Sequence, residues 1–262
     1  MGAAGGCTNP INGGAIFSID ARLPNPVRPV VSAVTNGASF ASGTIVPGEI
    51  ATIFGSNLTS STGINLTSSL PLPVSFLNSV VLVNGCAATP LFAVDNVSGQ
   101  QQINFQAPWE LAGQQAAIVQ VETDGVLSRP LLVTVAGAQP GIISYSAGGN
   151  NFGAILHADY QLADTVHPAT AGETMLLYGT GLGTVSAPQH DGNPANGEST
   201  IATASVTVGA MPAKVEFSGL APGFVGLNQV NFDVPAGLTP GNQAVVVSLG
   251  GVSSNSVLLP IR

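Results

Sequence analysis

The sequence predicts an all-β protein, with two tandem β-sandwich units behind an N-terminal extended strand. Three observations predict it. First, a 12-residue pattern occurs twice, as Pro47-Gly48-Glu49-Ile50-Ala51-Thr52-Ile53-Phe54-Gly55-Ser56-Asn57-Leu58 and as Ala171-Gly172-Glu173-Thr174-Met175-Leu176-Leu177-Tyr178-Gly179-Thr180-Gly181-Leu182. Two more blocks repeat in the same order. Val81-Leu82-Val83-Asn84-Gly85 answers to Val206-Thr207-Val208-Gly209-Ala210, and Gln102-Ile103-Asn104-Phe105 to Gln229-Val230-Asn231-Phe232. The offset grows only from 124 at Glu49/Glu173 to 127 at Gln102/Gln229, so the duplicated unit is a domain and not a short solenoid repeat. Second, windows with helical spacing are nearly absent, while short runs of Val, Ile, Thr and Phe alternate with Gly, Pro, Asn and Ser clusters. Third, 33 Gly and 19 Pro supply the backbone conformations that tight turns require.

The elements follow in order. Residues 1–30 belong to neither repeat and form an arm. Within it, Ala15 to Leu23 alternates cleanly: Phe17, Ile19, Ala21 and Leu23 share one parity, and Ser18, Asp20 and Arg22 the other. The following Pro24-Asn25-Pro26-Val27-Arg28-Pro29 stretch cannot continue a ladder and should run extended. Residues 31–136 form the first domain, with strands expected at Glu49 to Phe54, Ser79 to Val83, Gln101 to Gln106, Ala116 to Val121 and Leu131 to Val135. Pro108-Trp109-Glu110-Leu111 has room for a single helical turn. A Gly/Pro link at Ala136 to Gly141 leads into the second domain, 137–262, and its shortness limits freedom between the two. Strands there are expected at Thr174 to Tyr178, Ala204 to Val208, Gln229 to Val234, Ala244 to Leu249 and Ser256 to Ile261.

Composition removes several functions. Charged residues make up 7% of the chain, against about 25% in average soluble proteins. The net charge is -8 and there is no basic patch, so the phosphate neutralisation on which nucleic-acid binding depends is missing. No run of about 18 apolar residues predicts a membrane-inserted helix. The start of the chain has neither a basic nor an apolar segment of a signal peptide, which reads as a mature form or a fragment. Scarce Lys and Arg leave few tryptic sites, which fits an extracellular or cell-surface protein.

The repeated motifs resemble a known family. Pro47-Gly48-Glu49 with Phe54-Gly55-Ser56-Asn57-Leu58, then Gln102-Ile103-Asn104 with Pro108-Trp109-Glu110-Leu111, resemble the uncharacterised C-terminal domain of secreted acidobacterial (Solibacter-type) proteins. The first block is also similar to the start of immunoglobulin-like IPT/TIG modules. Gly179-Thr180-Gly181-Leu182-Gly183 and Gly219-Leu220-Ala221-Pro222-Gly223-Phe224 extend the resemblance from about Val31 to Arg262. It implies a pair of extracellular immunoglobulin-like sandwiches and no catalytic residues. The arm and Cys86 depart from the family pattern.

Candidate chemistry is sparse. Cys7 and Cys86 read as one disulfide in an oxidising compartment, within a subunit or between two; two unbridged thiols are the other reading. His157, His167 and His190 are the only histidines, and His157-Ala158-Asp159 could present two ligands, but no cluster completes a zinc shell. No Gly-x-Ser-x-Gly elbow occurs, no calcium loop exists, and no catalytic, cofactor or metal residue is expected. Gly179 to Gly183 lacks the Lys and helix of a phosphate loop and reads as a β-turn. Glu49 and Glu173, being repeated, should serve the fold by bonding a turn.

Function is read as non-enzymatic and structural. Ala15 to Leu23 would add to an open sheet edge of another copy, with Phe17, Ile19, Ala21 and Leu23 as the contact face. Head-to-tail addition of this kind gives filaments or layers. The alternative is an adhesion or surface-glycan module, for which Trp109 and Tyr160 are the candidate exposed aromatics.

Overall fold

The computed structural model describes residues 27–85, 89–187 and 189–262. The expected disulfide cysteines, Cys7 and Cys86, and the expected assembly face, Phe17, Ile19, Ala21 and Leu23, lie outside the described residues.

All regular structure described is β, apart from one 3-10 turn at Trp109–Leu111, where the sequence allows a single turn. The first half contains β1 (Val30–Asn36), β2 (Thr44–Ile45), β3 (Ile50–Ser56), β4 (Ser79–Val83), β5 (Leu91–Val97), β6 (Gln100–Gln106), β7 (Ala116–Thr123), β8 (Val126–Leu127) and β9 (Leu131–Val135). These build two sheets, ordered β1-β3-β6-β5 and β2-β9-β7-β4, with β8 paired to β7. Alternation explains how they face. In β7, Ala117, Val119 and Val121 are buried while Ala116 and Ile118 point out. Between the sheets lies a core of Ile53, Leu91, Ile103, Phe105 and their neighbours.

The second half contains β10 (Gly141–Ile142), β11 (Ser144–Ala147), β12 (Asn150–Gly153), β13 (Ile155–Leu156), β14 (Thr174–Thr180), β15 (Ser205–Val208), β16 (Met211–Leu220), β17 (Asn228–Asp233), β18 (Gly241–Leu249), β19 (Val252–Ser253) and β20 (Val257–Ile261). Its core, with Phe232 in the place of Phe105, is separate and draws its buried members only from residues 142–261. The ladders repeat those of the first half. β10-β14-β17-β16 answers to β1-β3-β6-β5, and β15-β18-β20 to β4-β7-β9. Even the parallel contact of β2 with β9 recurs, as a bridge from Ala169 to Ile261.

Two things differ from simple sandwiches. β16 spans ten residues, of which Met211 to Ala213 pair with β15 and Lys214 to Leu220 with β17, with a register shift between Val215 and Phe217 inside the second ladder. This joins both layers of the second half into one 11-stranded, nearly closed sheet. The second half also has a hairpin, β11-β12, turned by Gly148-Gly149 with φ of 57° and 79°. Through Phe152, β12 pairs parallel with Leu258 of β20. Among the described residues the first half has no counterpart of this hairpin.

Candidate functional site

The repeated Pro-Gly-Glu block forms the same device twice. Val46-Pro47-Gly48-Glu49 is a tight turn in which Gly48 takes φ +77°, and the Glu49 N–H donates back to the Val46 carbonyl at 3.1 Å. The Glu49 carboxyl then folds over the turn, and its Oε1 accepts the Val46 N–H at 2.9 Å. In the second copy Glu173 N–H donates to Thr170 O at 3.1 Å, and Glu173 Oε2 accepts Thr170 N–H at 3.0 Å. Each turn is clipped to the following strand block, through Gly48 to Ala107 and Gly172 to Val234. The turn-bonding role expected of the repeated glutamates is therefore the geometry observed.

The surroundings of the two carboxyls differ. Glu49 is 1% exposed. Its Oε2 accepts the Asn36 side-chain amide at 3.0 Å, and the same amide donates to the Gln139 carbonyl in the link between the halves, also at 3.0 Å. Next to it, Ile50 N–H donates to Thr180 Oγ at 2.8 Å, and the Thr180 hydroxyl donates to Gly226 O at 2.9 Å. Burial pushes the Glu49 carboxyl up to about 8, against the Val46 and Asn36 donors that favour the charged form. No carboxylate lies close to Gln139 in the sequence; the fold brings Glu49 there through Asn36, and Asn36 carries no sequence signal of that role.

Glu173 is half-exposed and holds a histidine instead. Its Oε1 lies 2.5 Å from His157 Nδ1, and His157 Nε2 lies 3.1 Å from the His167 carbonyl. Burial alone would lower the imidazole, but the Glu173 hydrogen bond, the His167 carbonyl and nearby carboxylates outweigh it and raise it. For Glu173, burial raises and the His157 and Thr170 bonds lower, with a lowered result. His157 is thus engaged with a turn glutamate, and Asp159 caps its own turn at the Gln161 N–H. Among the described residues no three His, Cys, Asp or Glu side chains gather as a metal shell.

Gly179 to Gly183, read from sequence as a β-turn, is not one. Gly179 and Thr180 end β14, and the next residues run along the link, with Gln139 N–H donating to Gly181 O at 2.9 Å. The glycines serve a close approach of two backbones.

An open groove of about 510 Å³ lies beside the junction, lined by Trp109, Glu110, Thr184, Ser186, Gln189 and Ile201 among others. Trp109 is half-buried and lies over Gly48, where an added Cβ would sit 2.2 Å from the indole ring. The main-chain N–H of Trp109 donates to Asp191 Oδ1 at 3.1 Å. Burial, aided by Glu110, raises Asp191 to about 6 against the pull of that N–H. The adjacent Gly192 binds back to the first half through Gln106 Oε1 at 2.7 Å and Leu72 N–H at 2.9 Å. Tyr160 is 70% exposed but does not line this groove.

No family model and no curated protein matches the chain. Among solved structures it is similar to SGBP-B of the Bacteroides ovatus mixed-linkage glucan utilization locus, in complex with a mixed-linkage heptasaccharide. That match has 13% identity and a TM-score of 0.33, over 84% of this chain and 42% of that one. It is similar to titin Ig tandem domains at 10% identity and a TM-score of 0.23, over 84% and 90% of the two chains. It is similar to domains 4-9 of the surface layer protein SbsC at 14% identity and a TM-score of 0.24, over 89% and 31%. At TM-scores this low the likenesses carry no argument about fold, binding or activity. No helix among the described residues is long and apolar enough to cross a membrane.

Proposed function

We propose that this chain is an extracellular, non-catalytic structural subunit made of two immunoglobulin-like units, which self-assembles through its N-terminal segment Ala15 to Leu23. The observation that supports it best is where the ionisable groups go. Glu49, Glu173, Asp95, Asp164, Asp191 and Glu198 each accept a main-chain N–H of the protein's own loops. Acids used this way fix connections and are not left aimed at a substrate. A surface with so few charges also lets copies pack with little repulsion.

Deletion of residues 1–26 is expected to abolish concentration-dependent assembly, read by light scattering and electron microscopy, while thermal unfolding of the described part persists. Polymer that forms equally well without the segment overturns the proposal.

The Trp109 groove supports a second reading, a surface-glycan module. Open shape, one aromatic wall and the polar groups of Glu110, Thr184, Ser186 and Gln189 suit a sugar ring. On that reading Trp109→Ala loses binding on a glycan array while Tyr160→Ala, outside the groove, retains it. A wild-type protein that binds no glycan on the array removes this reading.

A further inference from the structure

Resting on the self-assembly reading, we infer that the strand acceptor is the bare edge of β9 at Leu132, and that its occupant is the Ala15 to Leu23 segment of another copy. The argument is a comparison of the two halves. Register equates Leu132 with Leu258: Val119 faces Leu131 and Ile118 faces Leu132, as Val245 faces Val257 and Ala244 faces Leu258. In the second half the outer edge of β20 at Leu258 is covered by β12, through Phe152. In the first half nothing described covers Leu132.

The main chain there is turned outward. Thr134 N–H donates to Gly43 O at 3.0 Å on the β2 side. Leu132, two residues earlier, has the same parity, so its N–H and C=O face the same open side. β2 stops at Ile45, which reaches only Thr134 and Val135. The side chains agree with the backbone. Leu132 is 70% exposed and its cross-strand partner Ile118 is 41% exposed. β9 itself, Leu-Leu-Val-Thr-Val, contains no charged residue and no Pro, Arg129 and Pro130 lying just before it. A strand laid along this edge sets one of its faces over Leu132 and Ile118, as Phe152 sits over Leu258. The segment with Phe17, Ile19, Ala21 and Leu23 on one parity has the required alternation.

The test uses the full-length chain. Leu132→Pro removes the outward N–H without removing a ladder bond of the fold, and Leu132→Lys adds a charge to the edge. Both variants are expected to raise the concentration needed for assembly by roughly tenfold or more, with melting temperatures close to wild type. In assembled wild type the Leu132 amide is expected to be protected from hydrogen exchange, and in dilute monomer it is not. Assembly unchanged in both variants, yet lost on deletion of residues 1–26, refutes this acceptor while leaving self-assembly intact. Protection of Leu132 that persists in monomer shows the segment on its own chain and overturns the inference. A wild type that never assembles removes both readings.

Discussion

Glu49→Ala should destabilise the protein by about 3 kcal/mol or more, whereas Glu173→Ala should cost about 1 kcal/mol. The two residues are repeat equivalents in equivalent turns, so the contrast isolates their surroundings. Removing the Glu49 carboxyl strands the Val46 N–H in a sealed site, takes one of two acceptors from the Asn36 amide, and leaves a void. Water can replace much of what the partly exposed Glu173 side chain provides. Urea unfolding of the two variants measures the difference; equal losses would refute the account.

The same site sets a pH dependence. The folded-state value of Glu49, about 8, lies above its ordinary value of 4.5. Between these limits the native state holds a proton that the unfolded chain releases. Stability from this group is therefore complete below about pH 4.5 and declines as pH rises toward 8. The decline should amount to a few kcal/mol, on the order of the shift at about 1.4 kcal/mol per pH unit. Glu49→Gln, which cannot ionise, should flatten the fall, as read by melting temperatures across pH 5 to 8 against wild type.

Gly55→Ala is the second large effect. In β3, Gly55 lies opposite Val31, and a Cβ there would sit 1.9 Å from the Val30 carbonyl oxygen. The obstruction is backbone and cannot swing aside, so β1 must move off β3. We expect a loss of about 3 kcal/mol or more. Its repeat partner Gly179, where a Cβ would sit 2.3 Å from Gly141 O, should behave alike. Gly137→Ala is the control: it has open space and an ordinary φ, and should stay within about 0.5 kcal/mol of wild type. A Gly55→Ala protein as stable as that control would refute the close-approach argument.

These cases show what the sequence could reveal. Strands with strict alternation, such as Ala204 to Val208 and Ala116 to Val121, were legible because one face is buried and the other wet. β5 carries Asp95 and Asn96, and β16 carries Pro212, Lys214 and Gly219; neither shows clean alternation, so neither was expected. The β11-β12 hairpin is short and rich in Ser, Asn and Gly beside Tyr145 and Phe152, too brief to show alternation, and no strand was expected there. At the junction, the repeat marked Glu49 as part of the framework. It could not mark Asn36 or Gln139, because a tertiary contact between unlike segments leaves no period in the chain.

The hairpin lying on β20 gives the molecule a sense of direction. The two halves carry equivalent rims, and among the described residues only that of the second half is covered, by β12. On the proposed assembly, each copy would offer one acceptor edge, at Leu132, and one donor segment, Ala15 to Leu23. An array joined in that way would be linear and polar, with unlike tips, and would lengthen without any two-fold axis between neighbours.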